Sequence, residues 1–142
     1  MVEPADLGPA FDRAIDFQGI VMATDMAHNF RRDVAKGGEV LSVQLRELLA
    51  RGRQHTAHDY LEATTAAGAL NQVLDGLFNE YDAILTASAP GEAPVGTATG
   101  NPIFCSTWTF LATPAISLPL LEGPHGLPMG VQLIGRRGND AR

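Results

Sequence analysis

"LATPAISLPLLEGPHGLPMGVQLIG", residues 111–135, decides how this chain folds. It carries four prolines and four glycines but no side chain that readily does chemistry. "AISLPL" and "MGVQLIG" read as strands, and "LEGPHGLP" joins them. Pro119 lacks an N–H, so it belongs at an edge, a bulge or a strand end. Pro114 can start a strand, and Gly123-Pro124 and Gly126 serve the connection.

Upstream of this hairpin, "DAILTA" (82–87) reads as a further buried strand. A loop rich in Gly, Pro and Ala follows, "SAPGEAPVGTATGNP" (88–102). Asn101 is placed as an N-cap and Pro102 in the first turn of a helix, "IFCSTWTFLA" (103–112), apolar nearly all round and so expected to be buried.

The first half of the chain reads as helical over 10–80. From residue 10 to 35, Ile15, Met22, Met26, Phe30 and Val34 recur at three- to four-residue spacing, and Gly37-Gly38 ends the run. Ser42 is an N-cap for a short helix carrying Leu45, Leu48 and Leu49, which Gly52 ends. Thr56 and Asp59 resemble a capping box, with Asp in place of Glu. Tyr60, Thr64, Ala67, Leu70, Leu74 and Leu77 form one face of the helix that follows, through about Asn79. The expected class is therefore α/β, with a helical amino-terminal half and a strand–loop–strand region over 81–138.

The chain has 142 residues, 45% apolar and 18% charged, which suits one globular domain. A net charge of −6 argues against a nucleic-acid surface, and Arg31-Arg32 and Arg136-Arg137 are too few to reverse it. No apolar run approaches the length of a spanning helix, so no membrane partner is expected. The single cysteine, Cys105, and the absence of a basic, then apolar, leader fit a cytoplasmic protein. Only about three strands are present, and "NDAR" (139–142) announces a helix that the sequence does not deliver. Both features point to a single, incomplete domain over 1–142, with an open sheet edge that would favour association, including self-association.

No catalytic constellation emerges. Ser42 is a helix cap and Ser117 a strand residue. Ser106, beside Trp108, is the one serine placed near a pocket, and packing accounts for it better than nucleophilic chemistry. Cys105 reads as core. His55, His58 and Asp59 spell H-x-x-H-D at a helix start, but no further Cys or His cluster completes a metal site. "GEAPVGT" (91–97) has loop glycines without the lysine that a phosphate loop needs. The single lysine, Lys36, serves as a helix-end charge.

"YDAILTASAPGEAP" (81–94), "FCSTWTFLATPAISLPL" (104–120) and "GLPMGVQLIGRRGNDAR" (126–142) together resemble the carboxyl-terminal part of the amidase signature family. The resemblance implies an α/β/α domain around a large mixed sheet and hydrolysis of a carboxylic amide. It implies a Ser–Ser–Lys triad and no metal or organic cofactor. The triad would lie ahead of the matched region, so no catalytic residue is assigned here and the chain alone is expected to be inactive. Phe104, Thr107, Trp108 and Thr109 resemble the part that approaches the acyl-binding cleft, making them candidate substrate-binding residues for a small-molecule amide. Ala112 stands where the family commonly has Gly, and its methyl could crowd a close backbone approach. Two alternatives stand beside this one: the A-type subunit of a glutamyl-tRNA amidotransferase, and a non-catalytic remnant acting as a binding module.

Overall fold

The computed structural model describes residues 2–141. Five α-helices accompany a three-stranded antiparallel sheet. A 3₁₀ turn, Pro9–Arg13, leads into α1 (Ala14–Asn29). Then come α2 (Arg31–Gly37), α3 (Val43–Gly52), α4 (Ala57–Leu77), β1 (Ile84–Ala87), α5 (Ile103–Leu111), β2 (Ala115–Glu122) and β3 (Pro128–Ile134).

The sheet runs in the order β1-β3-β2. β2 and β3 form the expected hairpin, and β1 pairs antiparallel with the far side of β3. The family resemblance implies a mixed sheet; the three strands of this chain are instead antiparallel throughout. Pro119 satisfies two of its predicted options together. β2 is an edge strand, and its register against β3 shifts between Leu118 and Leu121, so Pro119 sits in a bulge where no ladder donor is needed.

Strand alternation gives the sheet two unlike faces. Ile84, Ile134 and Ala115 lie in one row on the helix side, and Thr86, Gln132 and Ser117 in the next. The opposite face carries Leu85, Leu133 and Ile116, then Ala87, Val131 and Leu118. Ile134 is fully buried, whereas Leu85 and Ile116 are half exposed or more. The outer face is thus apolar and uncovered.

The core lies between α1, α4, α5 and the inner face. Ala14, Leu70, Leu74, Trp108, Leu111 and Ile134 form it, with Phe11, Ala67, Phe78, Ile84 and Phe110 packed around them. Burying each of the large aliphatic members contributes roughly 1.5–3 kcal/mol. Arg136, just past β3, ties the sheet to the end of α4. Its Nε donates to Asp75 Oδ1 at 3.1 Å, and Nη2 to the Asp75 carbonyl and Asn79 Oδ1, both at 2.8 Å.

The caps at Ser42 and Thr56 form as the sequence predicts. Ser42 Oγ accepts from Leu45 N at 3.2 Å. Thr56 and Asp59 close a full capping box.

Several expectations need correction. β1 is not buried, with Leu85 half exposed, and α5 is buried on one side only, leaving Ile103, Phe104 and Thr109 exposed. The run over 10–35 is not one helix: it breaks at Phe30, where ψ is 4°. Its buried face is Ala14, Phe17, Ala23 and Ala27, while Ile15 and Met22 are exposed. Ala23 and Ala27 hold part of that face because Gly52 of α3 crosses closely there, while Phe17 packs on Phe110 of α5. On α4 the buried set is Ala63, Leu70 and Leu74, while Thr64 is exposed and its hydroxyl donates back to the Tyr60 carbonyl. Last, the N-cap of α5 is Pro102 rather than Asn101; Asn101 still caps through its side chain, accepting from Ile103 N at 3.0 Å.

Candidate functional site

Phe104, Cys105 and Ser117 lie around the corner where β1 ends, the 88–102 loop departs and α5 begins; the other candidates lie elsewhere. Gln132 on the central strand organises this corner. Only 4% exposed, it uses Nε2 to donate to the Ala87 carbonyl at 2.8 Å and the Phe104 carbonyl at 2.6 Å. A buried amide must find such partners, and here they lock the end of β1 to the first turn of α5. Ser88 adds to the lock. Its N–H donates to the Gly130 carbonyl at 3.0 Å, its hydroxyl meets Ser117 Oγ at 2.7 Å, and its carbonyl accepts from Cys105 Sγ at 3.5 Å.

α5 divides the four predicted pocket residues. Phe104, Thr107 and Trp108 fall on neighbouring positions around the helix, and Thr109 turns away from them. Phe104 is 37% exposed beside the loop. Thr107 is half-buried. Trp108 is only 8% exposed, sunk in the core with Ala14 and Leu74. Thr109 is exposed and, with Phe110, lines an apolar groove completed by Val21, Met22 and Met26 of α1.

The other candidates resolve as structural groups. Ser106 is nearly buried, and its hydroxyl donates to the Pro102 carbonyl at 3.1 Å. It has no base beside it and acts as a back-bonded helix residue. His55 and His58 flank the start of α4, and no group of three metal-ligating side chains occurs among the described residues. Lys36 lies in the last turn of α2, as expected of a helix-end charge.

One charged contact beside this corner is not legible in the sequence. Glu92, in "GEAPVGT", crosses to the β2–β3 turn. Oε1 accepts from the N–H groups of His125 at 2.8 Å and Leu127 at 3.1 Å, and Oε2 lies 2.6 Å from His125 Nδ1. Its side chain is 9% exposed while the His125 ring is 82% exposed, so the carboxylate sits in a shallow surface notch rather than the core. Burial opposes its charge, yet the bonds from the His125 ring and the two N–H groups outweigh that and hold the carboxyl below the usual glutamate range. A carboxylate and a histidine in two separate Gly/Pro loops were the available signal; their separation of 33 positions hid the pairing.

The sequence model of the amidase family matches residues 10–142. This chain belongs to the amidase family. Over 84 residues it is 32% identical to the A-type glutamyl-tRNA(Gln) amidotransferase subunit of Wolinella succinogenes, covering 54% of this chain and 19% of that protein. The corresponding protein of Agathobacter rectalis is similar, with 34% identity over 84 residues, 54% of this chain and 17% of that protein. The fold resembles a crystal structure of an amidase at a TM-score of 0.79 and 24% identity, covering 94% of this chain and 33% of the other. A bacterial aryl acylamidase of the amidase signature family is similar at a TM-score of 0.72 and 16% identity, over 96% of this chain and 33% of that one. The chain therefore spans about a third of the solved relatives it matches, and its aligned part less than a fifth of the curated ones. The helix-and-sheet arrangement is that of the amidase fold.

Proposed function

We propose that this chain forms the carboxyl-terminal part of an amidase-type C–N hydrolase that cleaves a small carboxylic amide to an acid and ammonia or an amine. The observation that carries this reading is the amidase match over residues 10–142 combined with a span of about a third of the solved amidase. Amide hydrolysis by this family's chemistry needs an activated serine, and no described serine here has a base in reach. On this reading the Ser–Ser–Lys triad lies in the remainder of the domain. The apolar outer face, with Leu85, Ile116 and Leu133, is the surface on which that remainder would pack. Phe104 and Thr107, backed by Trp108, form the wall of the acyl pocket, while Thr109 faces the α1 groove.

The test is direct. The chain alone, and the same chain joined to an amidase amino-terminal portion from its own reading frame, are assayed against short aliphatic and aryl amides. Hydrolysis by the joined protein and none by the chain alone is the expected result. Serine-dependent hydrolysis by the chain alone would overturn the proposed division of labour.

A second reading has its own support. The curated relatives at 32–34% identity are A-type subunits of glutamyl-tRNA(Gln) amidotransferases. Release of ammonia from glutamine but from no other amide would favour that reading, and with it a partner protein.

A further inference from the structure

We propose that Glu92 is a positioning residue: its carboxylate straps segment 89–100 onto the β2–β3 turn and thereby sets the course of the loop that leads to Phe104. Both ends of the 88–102 loop are held independently. Ser88 is bonded to Gly130 and Ser117, and Asn101 caps Ile103. Between them, among the described residues, every hydrogen bond made by residues 89–100 runs through Glu92. Residues 93–104 are otherwise exposed. A loop of this length and composition has many conformations to lose, so a single strong anchor dominates its order.

The anchor is stronger than a surface ion pair. A lone pair of exposed charges contributes little because water competes for both partners. Here the turn presents two backbone donors in fixed positions, and a shielded carboxylate takes both while also meeting the ring. The turn is shaped to admit it: a Cβ on Gly123 would lie 2.2 Å from Glu92 Cγ and 2.3 Å from Oε1. Any side chain at Gly123 would expel the strap.

The catalytic consequence rests on the amidase reading; the strap itself does not. Phe104 lies in the first turn of α5, immediately beyond the loop. Releasing the loop would change what lies beside Phe104 while Gln132 and Asn101 keep the helix turn itself in place. The expected signature is a rise in KM with kcat nearly unchanged.

Hydrogen exchange and backbone NMR on the full chain test the strap without substrate. Glu92→Gln keeps the size but loses the charge and one acceptor, and Gly123→Ala displaces the carboxylate from the other side. Both should speed exchange roughly tenfold or more at the His125 and Leu127 amides, as loss of a charge-assisted acceptor would. Among the described residues, 89–100 donate no backbone hydrogen bonds, so their order is read from backbone NMR order parameters, which should fall in both variants. Exchange in α1 and α4 should not change. Unchanged order parameters over 89–100 in both variants would overturn the proposal, because Glu92 would then serve only the turn. In the joined, active amidase, Glu92→Gln should raise KM several-fold, with partial rescue by Glu92→Asp; an unchanged KM beside a loosened loop would remove the positioning role. If the joined protein hydrolyses no amide, the amidase reading falls and the order parameters still decide the strap.

Discussion

A Cβ built on Gly52 would lie 1.9 Å from the carbonyl oxygen of Ala23, where α3 crosses α1. Ala27 is next to the same point, at 3.0 Å. The contact is backbone on helix, so no rotamer change can relieve it. Gly52→Ala is expected to destabilise the chain by about 1–3 kcal/mol, the range for overpacking a tight contact. Gly68, inside α4 with open space around its Cα, is the control. Gly68→Ala should stabilise by about 0.5–1 kcal/mol, since Ala is the better helix former. Denaturant unfolding of both variants checks the pair. Equal effects would show that Gly52 is merely a helix end.

Ala112 caps α5 at φ 52° and ψ 41°, the one non-glycine residue in the left-handed region among the described residues. A methyl-bearing residue there carries about 1–2 kcal/mol of strain. Glycine relieves it but adds freedom to the unfolded chain, costing about 0.4–1 kcal/mol. Ala112→Gly should therefore stabilise by about 0.5–1 kcal/mol in equilibrium unfolding. This strain is a conformational reason for glycine at this position, separate from the crowding expected from the resemblance. A loss of stability on Ala112→Gly would refute the strain argument.

The Thr56–Asp59 capping box gives a pH test. The backbone bond from Thr56 is the main cause holding the Asp59 carboxyl below its usual range, followed by the Thr56 hydroxyl. A depressed carboxyl stabilises the fold fully above its unfolded value, near 4, and the contribution fades as pH falls through the folded value. The stability gap between wild type and Asp59→Asn should be constant above about pH 5 and shrink below about pH 4. Thr56→Ala should cost about 1 kcal/mol at neutral pH. A gap that grows on acidification would reverse the assignment.

The parts of this fold that were legible from the sequence were those with local causes. The caps at Ser42 and Thr56, the three strands, and the bulge at Pro119 each follow from a few neighbouring residues. The face of α1 was misjudged because a hydrophobic stripe marks burial only when the partner leaves room for large side chains. Gly52 and Ala23 bring the axes too close for that, and Gly52 lies 29 positions from Ala23. Glu92 escaped for the same reason: its partners lie across the sheet, in another loop. Long-range complementarity between two short segments leaves no period to count.

The four α5 residues separate by measurement. Trp108 is buried against Ala14, Leu70 and Leu74, so truncation opens a cavity in the core. Trp108→Ala is expected to cost about 3–5 kcal/mol, seen first as lost folding. Phe104, at 37% exposure, has less packing to lose. In the joined amidase, Phe104→Ala should leave the melting temperature nearly unchanged and raise KM for aryl amides more than for short aliphatic ones. Thr109→Val, on the α1 groove, should change neither much, because Thr109 turns away from Phe104 around the helix. Melting curves and KM for one aryl and one aliphatic amide decide among these outcomes. If Phe104→Ala alters stability but not KM, α5 is core alone and the acyl-pocket wall lies elsewhere. If Thr109→Val alters KM instead, the groove beside Met22 and Met26 is the pocket.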